Sequence, residues 1–394
     1  MNSTNISTNG TVPECYELSS ALHCMSKDDF INSILKKHIF PTTTEWVFVI
    51  LHIIVFLVGV LGNFLVCFVV CRSKHMQTVT NLFIVNLAVA DFLVFITCEP
   101  PTVLQNITET WFLGRTLCKI VLFAQTLTVC VSVLTLCCIA VERYYAICQP
   151  LSSDITFRKV SITMVAIWIA GSLVALPNLI FMEITKTYED IDNYLVYNRM
   201  SWSYTTDVAY QVFLALALYV VPLILMTIVY SVVSYTLWSA KAPGAENLGR
   251  SNSKSIHNSA DSQLIARRKV AKMLMAIVGI FFVCYLPLNL LFVARFTNLL
   301  GKAGEDSNLL PGIFLFSHWL CYFNSAINPV IYNFMSVKFR DEFRRVFSCQ
   351  PPPKSGRLFP STTWTSSVNG GTNCSDKLIA KSTYRSTKNK AANV

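Results

Sequence analysis

Charge is what this sequence has least of. Charged residues fill 14% of its 394 positions, against roughly 25% in an average soluble protein. So few cannot coat a soluble globule of this length. Glycine (14 residues) and proline (15) are too sparse for a collagen-like or low-complexity chain. Fourteen cysteines over such a length do not make a disulfide-knit scaffold. No acid occurs between Lys119 and Glu142, and no cysteine between Cys148 and Cys284. HExxH and GxSxG are also missing, so no enzyme chemistry and no transition-metal site is expected. What is abundant is apolar: 53% of residues are hydrophobic, which leaves the class of polytopic membrane proteins.

A hydrocarbon core of about 30 Å takes about 20 helical residues to cross. Seven runs qualify: 46–71, 80–104, 117–142, 159–181, 208–237, 268–294 and 309–334. Lipid offers backbone amides no partner, so each run is predicted as a helix, and together they form an all-α seven-transmembrane bundle. The predicted organisation is an N-terminal segment (1–45), the bundle (46–335), a short amphipathic eighth helix at the membrane surface (336–349) and a disordered Ser/Thr-rich tail (350–394). Seven spans put the termini on opposite sides. With the N-terminus outside, 9 Lys and Arg lie on that side and 23 on the other. The positive-inside rule makes the second side cytoplasmic, in a multi-pass plasma-membrane protein. Asn2, Asn5 and Asn9 then head extracellular glycosylation sequons.

Polar groups inside the spans need an account, because a mid-bilayer charge costs about 2.5–3.5 kcal/mol on insertion scales. Asp91 is the main one. In the third span Gln125, Ser132 and the Glu142–Arg143 pair share a helical face, with Gln125 and Arg143 about 27 Å apart. In the seventh span His318, Tyr322, Ser325 and Asn328 follow at helical steps, with Tyr332 beyond. Two inward stripes predict a polar axis. Asp91, Ser132, Asn324 and Asn328 make an oxygen-only set of one formal charge, which suits Na+ better than a transition metal. A water-filled hydrogen-bond network is the other reading. Prolines at 100, 101, 177, 222, 287 and 329 predict bent helices.

In order and spacing these residues closely resemble the rhodopsin-like (class A) G-protein-coupled receptors, over about 46–349. The matching residues are Gly62-Asn63, Leu87 to Asp91, Glu142-Arg143-Tyr144, Trp168, Pro222 with Tyr230, Tyr285-Leu286-Pro287 and Asn328-Pro329-Val330-Ile331-Tyr332. Within that family the chain looks most like orexin and allatotropin neuropeptide receptors, through Asn81 to Asn86, Asn106 to Trp111, Pro177-Asn178, Phe316 to Tyr322 and Asn324 to Pro329. The resemblance implies a receptor for an extracellular, amidated peptide that activates a heterotrimeric G protein of the Gq type. It implies a ligand pocket of Gln125, Thr126, Asn178, Phe292, His318 and Tyr322, and an activation switch of Glu142, Arg143, Tyr230, Tyr285, Pro287, Pro329 and Tyr332. It favours Na+ near Asp91, and it implies kinases and arrestin acting at the tail. Gln125 stands where amine receptors carry an Asp, so the third span offers a biogenic amine no salt bridge. After Tyr332, Phe339, Phe343 and Phe347 alternate with Arg340, Arg344 and Arg345, and Cys349 follows as a palmitoylation candidate.

Departures from the family pattern matter equally. Glu142 replaces the usual Asp and Tyr285 the usual Trp. Arg267 and Arg268 leave Arg143 no acidic partner at the start of the sixth span, so Glu142 is expected to restrain it. The family bridges the top of the third span, here Cys118, to the long outer loop. This loop has no cysteine, and Tyr197 stands near the expected place. The disulfide candidates are Cys15, Cys24 and Cys118, an odd number, with Cys15–Cys24 or a pair including Cys118 both open. The hairpin lid over the pocket is left in doubt. The rival class is a secondary transporter or ligand-gated channel, but seven spans do not split into equal repeats and no charge ring lines a pore. A retinal-binding opsin needs a lysine in 309–334, which has none.

Overall fold

The computed structural model describes residues 27–149, 156–186, 196–239, 253–296 and 310–350. Asn2, Asn5, Asn9, Cys15, Cys24 and the tail beyond Gln350 lie outside the described residues. The seven spans are Thr43–Arg72, Val79–Thr97, Gly114–Cys148, Phe157–Phe181, Tyr204–Ser239, the helix Ser253–Phe296, and Leu310–Met335. The first packs on the second and the seventh, the third on the second, fourth and fifth, and the sixth on the fifth and seventh. The ring therefore closes with the third span central and the fourth outside it. Six of the helices are long and apolar enough to cross a membrane. The seventh is long enough, but His318, Asn324, Ser325 and Asn328 dilute its apolar character.

Local chemistry sets where the helices begin. Thr42 opens the first span with a reciprocal cap: its hydroxyl accepts from the Glu45 N–H (3.3 Å), and its own N–H donates to the Glu45 carboxylate (2.6 Å). Thr78, Thr156 and Ser203 cap the second, fourth and fifth spans the same way through one hydroxyl each. Each bond satisfies an amide the helix leaves unpaired. Pro100 and Pro101 split the second run: the helix stops at Thr97 and restarts as Glu99–Thr108, where a missing N–H costs nothing. Before Pro222 the fifth span widens into a π-turn, Leu216–Val220. In the sixth span the Asn289 amide donates back across Pro287 to the Tyr285 carbonyl at 2.9 Å.

Burial follows the solvent. The inner half holds a continuous core in which Ile84, Leu136, Met226, Leu274, Phe281 and Tyr332 are each at most 3% exposed. Large apolar groups such as Leu61, Ile162, Leu173 and Val283 point outward, as side chains facing acyl chains do. Two glycines let helices close up. A Cβ on Gly59 would lie 2.1 Å from the Phe95 ring, and one on Gly62 would lie 2.9 Å from the Pro329 ring.

Four findings differ from the expectations. Residues 27–39 are not plain chain: Lys27–Ile34 is helical and runs into a π-turn, with Phe30 fully buried. The sixth helix starts at Ser253, well before the expected span 268–294, because a helix anchored in the bundle propagates one bond per residue. Cys118 is a free, buried thiol, and the outer loop still forms a hairpin. Strands β1 (Met182–Lys186) and β2 (Val196–Met200) pair antiparallel, Met182 opposite Met200 and Thr185 opposite Tyr197. With no sulfur to meet Cys118, packing replaces the bridge: Trp111, Cys118, Val121, Met182 and Met200 form one buried cluster. The Trp111 N–H donates to the Val196 carbonyl (2.7 Å), Gln105 donates to Asn198 (2.7 Å), and Arg115 pairs with Glu183. Finally, Cys349 is disulfide-bonded rather than a free thiol ready for acylation. It lies just past a helix, Val337–Phe347, whose Phe339 stacks on Tyr332 at 5.3 Å. The buried Glu342 of that helix accepts from Ser73 (2.6 Å) and Arg345 (3.2 Å), pinning it to the end of the first span.

Candidate functional site

Three polar clusters lie along the bundle. At the inner end the Arg143 guanidinium clasps the Glu142 carboxylate and also donates to the Thr80 hydroxyl, while that hydroxyl donates to Glu142 at 3.1 Å. Glu142 restrains Arg143, and Thr80 closes the triangle from the second span. Arg268, at the start of the sixth span, turns instead to the Leu237 carbonyl of the fifth (2.7 and 2.9 Å). Tyr230 is buried near this clasp with its hydroxyl unpartnered. Above it, Asn86 ties three helices together, donating to Thr135 (2.8 Å) and accepting from the Trp168 indole (2.9 Å).

The middle cluster surrounds Asp91, 2% exposed. Its carboxylate accepts from Ser325 (2.7 Å) and Asn328 (2.8 Å). Asn63 of the first span donates to the Ser325 carbonyl at 3.1 Å. The carbonyl oxygens of the Asn63, Asn324 and Asn328 side chains are buried without a partner. Ser132 is buried too, but the group that reaches Asp91 is Ser325, so the expected oxygen set gains a member from the seventh-span stripe. A buried carboxylate in a region that also holds orphaned amide oxygens fits a small hard cation or ordered water. Below, Pro329 rests against Gly62 and Tyr332 on Phe339, and in the sixth span Tyr285 lies against Phe281 with ring centroids 4.6 Å apart.

The outer cluster falls into two halves. On one side Asn178 donates to Thr126 (2.9 Å) and Tyr210 (3.3 Å), joining the third, fourth and fifth spans. On the other side Tyr322 is buried against Val55, Val94 and Phe95 and meets the His52 ring edge-to-face at 5.9 Å. The His52 Nδ1 lies 3.0 Å from a Glu99 carboxylate oxygen, and both side chains are 3% exposed. Ala124 packs on this half and Thr126 bonds the other. Gln125 stands between them in sequence, at helical steps of about 100°. Its half-buried carboxamide has no hydrogen bond among the described residues. Among the described residues His318 makes one hydrogen bond, its Nδ1–H donating to the Phe314 carbonyl one turn back at 2.9 Å, and Phe292 is half-buried. The structure thus joins Thr126 to Asn178 and sets Tyr322 apart with His52 and Glu99. Sequence reasoning missed Tyr210, Glu99 and Thr80. Only Glu99 carried a signal, as an acid at the edge of an apolar run.

A lone central carboxylate, a Glu-Arg clasp at one end and a proline-bent seventh helix in a ring of seven define a class. A family model described as 7 transmembrane receptor (rhodopsin family) matches residues 62–332, more than half the chain. The chain belongs to this family, class A of the G-protein-coupled receptors. It is similar to a QRFP-like peptide receptor of Branchiostoma floridae, 30% identical over 339 residues that cover 83% of this chain and 86% of that protein.

Proposed function

We propose that the chain is a plasma-membrane receptor, N-terminus outside, for an extracellular neuropeptide with an amidated end, orexin- or allatotropin-like, and that it activates a heterotrimeric G protein of the Gq type. The observation that carries this reading is Gln125. A neutral carboxamide with no hydrogen-bond partner among the described residues, at the head of a polar axis ending in the Arg143 clasp, can both donate to and accept from a peptide amide. An amine ligand would find no acid there. The outside face carries more acids than bases and would steer a cationic peptide inward.

Binding acts only through its preference for one packing of the bundle. A peptide end drawing together Gln125, His318 and Tyr322 would tilt the seventh span at Pro329 and let the sixth swing about Pro287. Arg143 would leave Glu142 and Thr80, opening a cytoplasmic cleft for the G protein. Na+ beside Asp91, held by Asn324, Asn328 and Ser132, would supply countercharge and favour the resting packing. The Ser/Thr clusters of the tail would take kinase phosphates and bind arrestin. Acylation of Cys349 would first require reduction of its disulfide, which a reducing cytosol favours. The test is a screen of amidated neuropeptides on cells expressing the full chain, reading calcium and cyclic AMP together. A calcium response lost on Gln125→Leu supports the reading. Ligand-driven ion current with no G-protein activation would replace it with the channel alternative.

A further inference from the structure

The outward face holds a groove of about 590 Å³ that none of the three polar clusters uses. The first and seventh spans wall it with Val58, Gly62, Val330 and Phe334, and the helix Val337–Phe347 closes its basic end with Arg340 and Arg344. Val58 is 41% exposed and Phe334 73%, so the wall faces acyl chains. Arg340 and Arg344 are one helical turn apart and present neighbouring guanidinium groups. Their neighbours are engaged elsewhere: Arg345 with Glu342, Arg72 with the Gln350 carbonyl, Arg143 with Glu142. Neither Arg340 nor Arg344 has an acidic partner among the described residues, and the Arg340 Nε is buried with no hydrogen bond.

Arg344 is exposed and Arg340 half-buried, but a guanidinium that keeps one N–H buried and unpaired is costly, and planar N–H pairs match phosphate oxygens two at a time. Free phosphate would satisfy the arginines and leave the apolar wall bare. A sterol would cover the wall and leave the charges unpaired. One chemistry does both, so we propose that this groove binds an anionic glycerophospholipid, its phosphate between Arg340 and Arg344 and an acyl chain along Val58, Gly62, Val330 and Phe334. The site rests on the membrane-spanning bundle alone and is independent of the peptide reading. Its lipid would hold the surface helix against the first and seventh spans.

Purified full-length protein, with no agonist present, is titrated with palmitoyl-oleoyl phosphatidylserine and with the matching phosphatidylcholine, and bound lipid is counted by native mass spectrometry. The serine lipid is expected to bind tightly at one site, and its affinity to fall about 30-fold in R340Q/R344Q, each arginine near a membrane surface being worth roughly a factor of five. R340K/R344K, which keeps charge and loses the planar fork, is expected to fall part of the way. V58W fills the groove away from the arginines and is expected to lose the lipid as well, so misfolding of one variant leaves the other decisive. Glycerophosphoserine, which lacks acyl chains, is expected not to compete. Equal retention of the choline lipid, full competition by glycerophosphoserine, or a second copy of the chain retained at this face in place of lipid would each overturn the proposal.

Discussion

The inner and middle parts of the bundle handle buried polarity in opposite ways. At the inner end nearly every group is matched. Glu142, Arg143 and Thr80 bond one another, and Asn86 saturates Thr135 and Trp168. Around Asp91 the donors are matched, but three amide oxygens are not, and His52 Nε2 and Glu99 Oε2 are orphaned higher up. An unsatisfied buried group costs about 1–3 kcal/mol. Apart from the Tyr230 hydroxyl the inner lock is thus closed upon itself, whereas the middle asks for something from outside, whether water, ion or ligand. A receptor needs that asymmetry: a resting lock at the effector end, and unmet valence where a signal enters.

Destroying the inner lock should have the largest effect. Arg143→Ala is expected to abolish G-protein activation in a membrane nucleotide-exchange assay while leaving peptide affinity within about threefold. Equal loss of both would make Arg143 a folding residue. Next, replacing Na+ by choline is expected to raise peptide affinity by a factor in the range of about 5 to 150, and Asp91→Asn to erase that sensitivity; an unchanged salt response in the variant would mean that water alone fills the cluster. A smaller step is Thr80→Val, which removes one side of the inner triangle. Ligand-independent signalling is expected to rise about 5-fold, the effect of about 1 kcal/mol. Unaltered basal activity would leave the Glu142–Arg143 pair as the whole lock. The smallest effect is expected from Cys118→Ala. With no bridge to lose, its peptide affinity should stay within about twofold in a displacement assay, and a large drop would show that Cys118 pairs after all.

Much of this was legible in the sequence, for identifiable reasons. Glu142 and Arg143 are adjacent, and Asp91 is a charge in an apolar run, so local chemistry exposed both. The bundle followed from seven apolar lengths, and the Thr42 and Ser203 caps are short-range. Other features were hidden because their partners are distant in the chain: Thr80 lies 62 residues from Glu142, His52 lies 47 from Glu99, and Ser325 lies 234 from Asp91. No periodicity reports such pairs. The outer hairpin is hard to foresee because a missing cysteine is conspicuous in a sequence. The contacts that replace it are ordinary residues, Trp111 and Met200 among them, whose meeting only the fold reveals. Pro100 and Pro101 predict a bend, whereas the helix makes a complete stop and restart at Cys98.

The seat of Pro329 in the notch at Gly62 has a mechanical corollary. The Pro329 ring sits almost on the Gly62 backbone, since a methyl group at Gly62 would already stand 2.9 Å from the ring. Two rods in such close register cannot slide independently, so the first helix must travel with the seventh when the receptor changes state. A spectroscopic probe on the outward side of residue 61, where Leu61 is exposed, would therefore report activation from a helix that holds none of the switch residues itself.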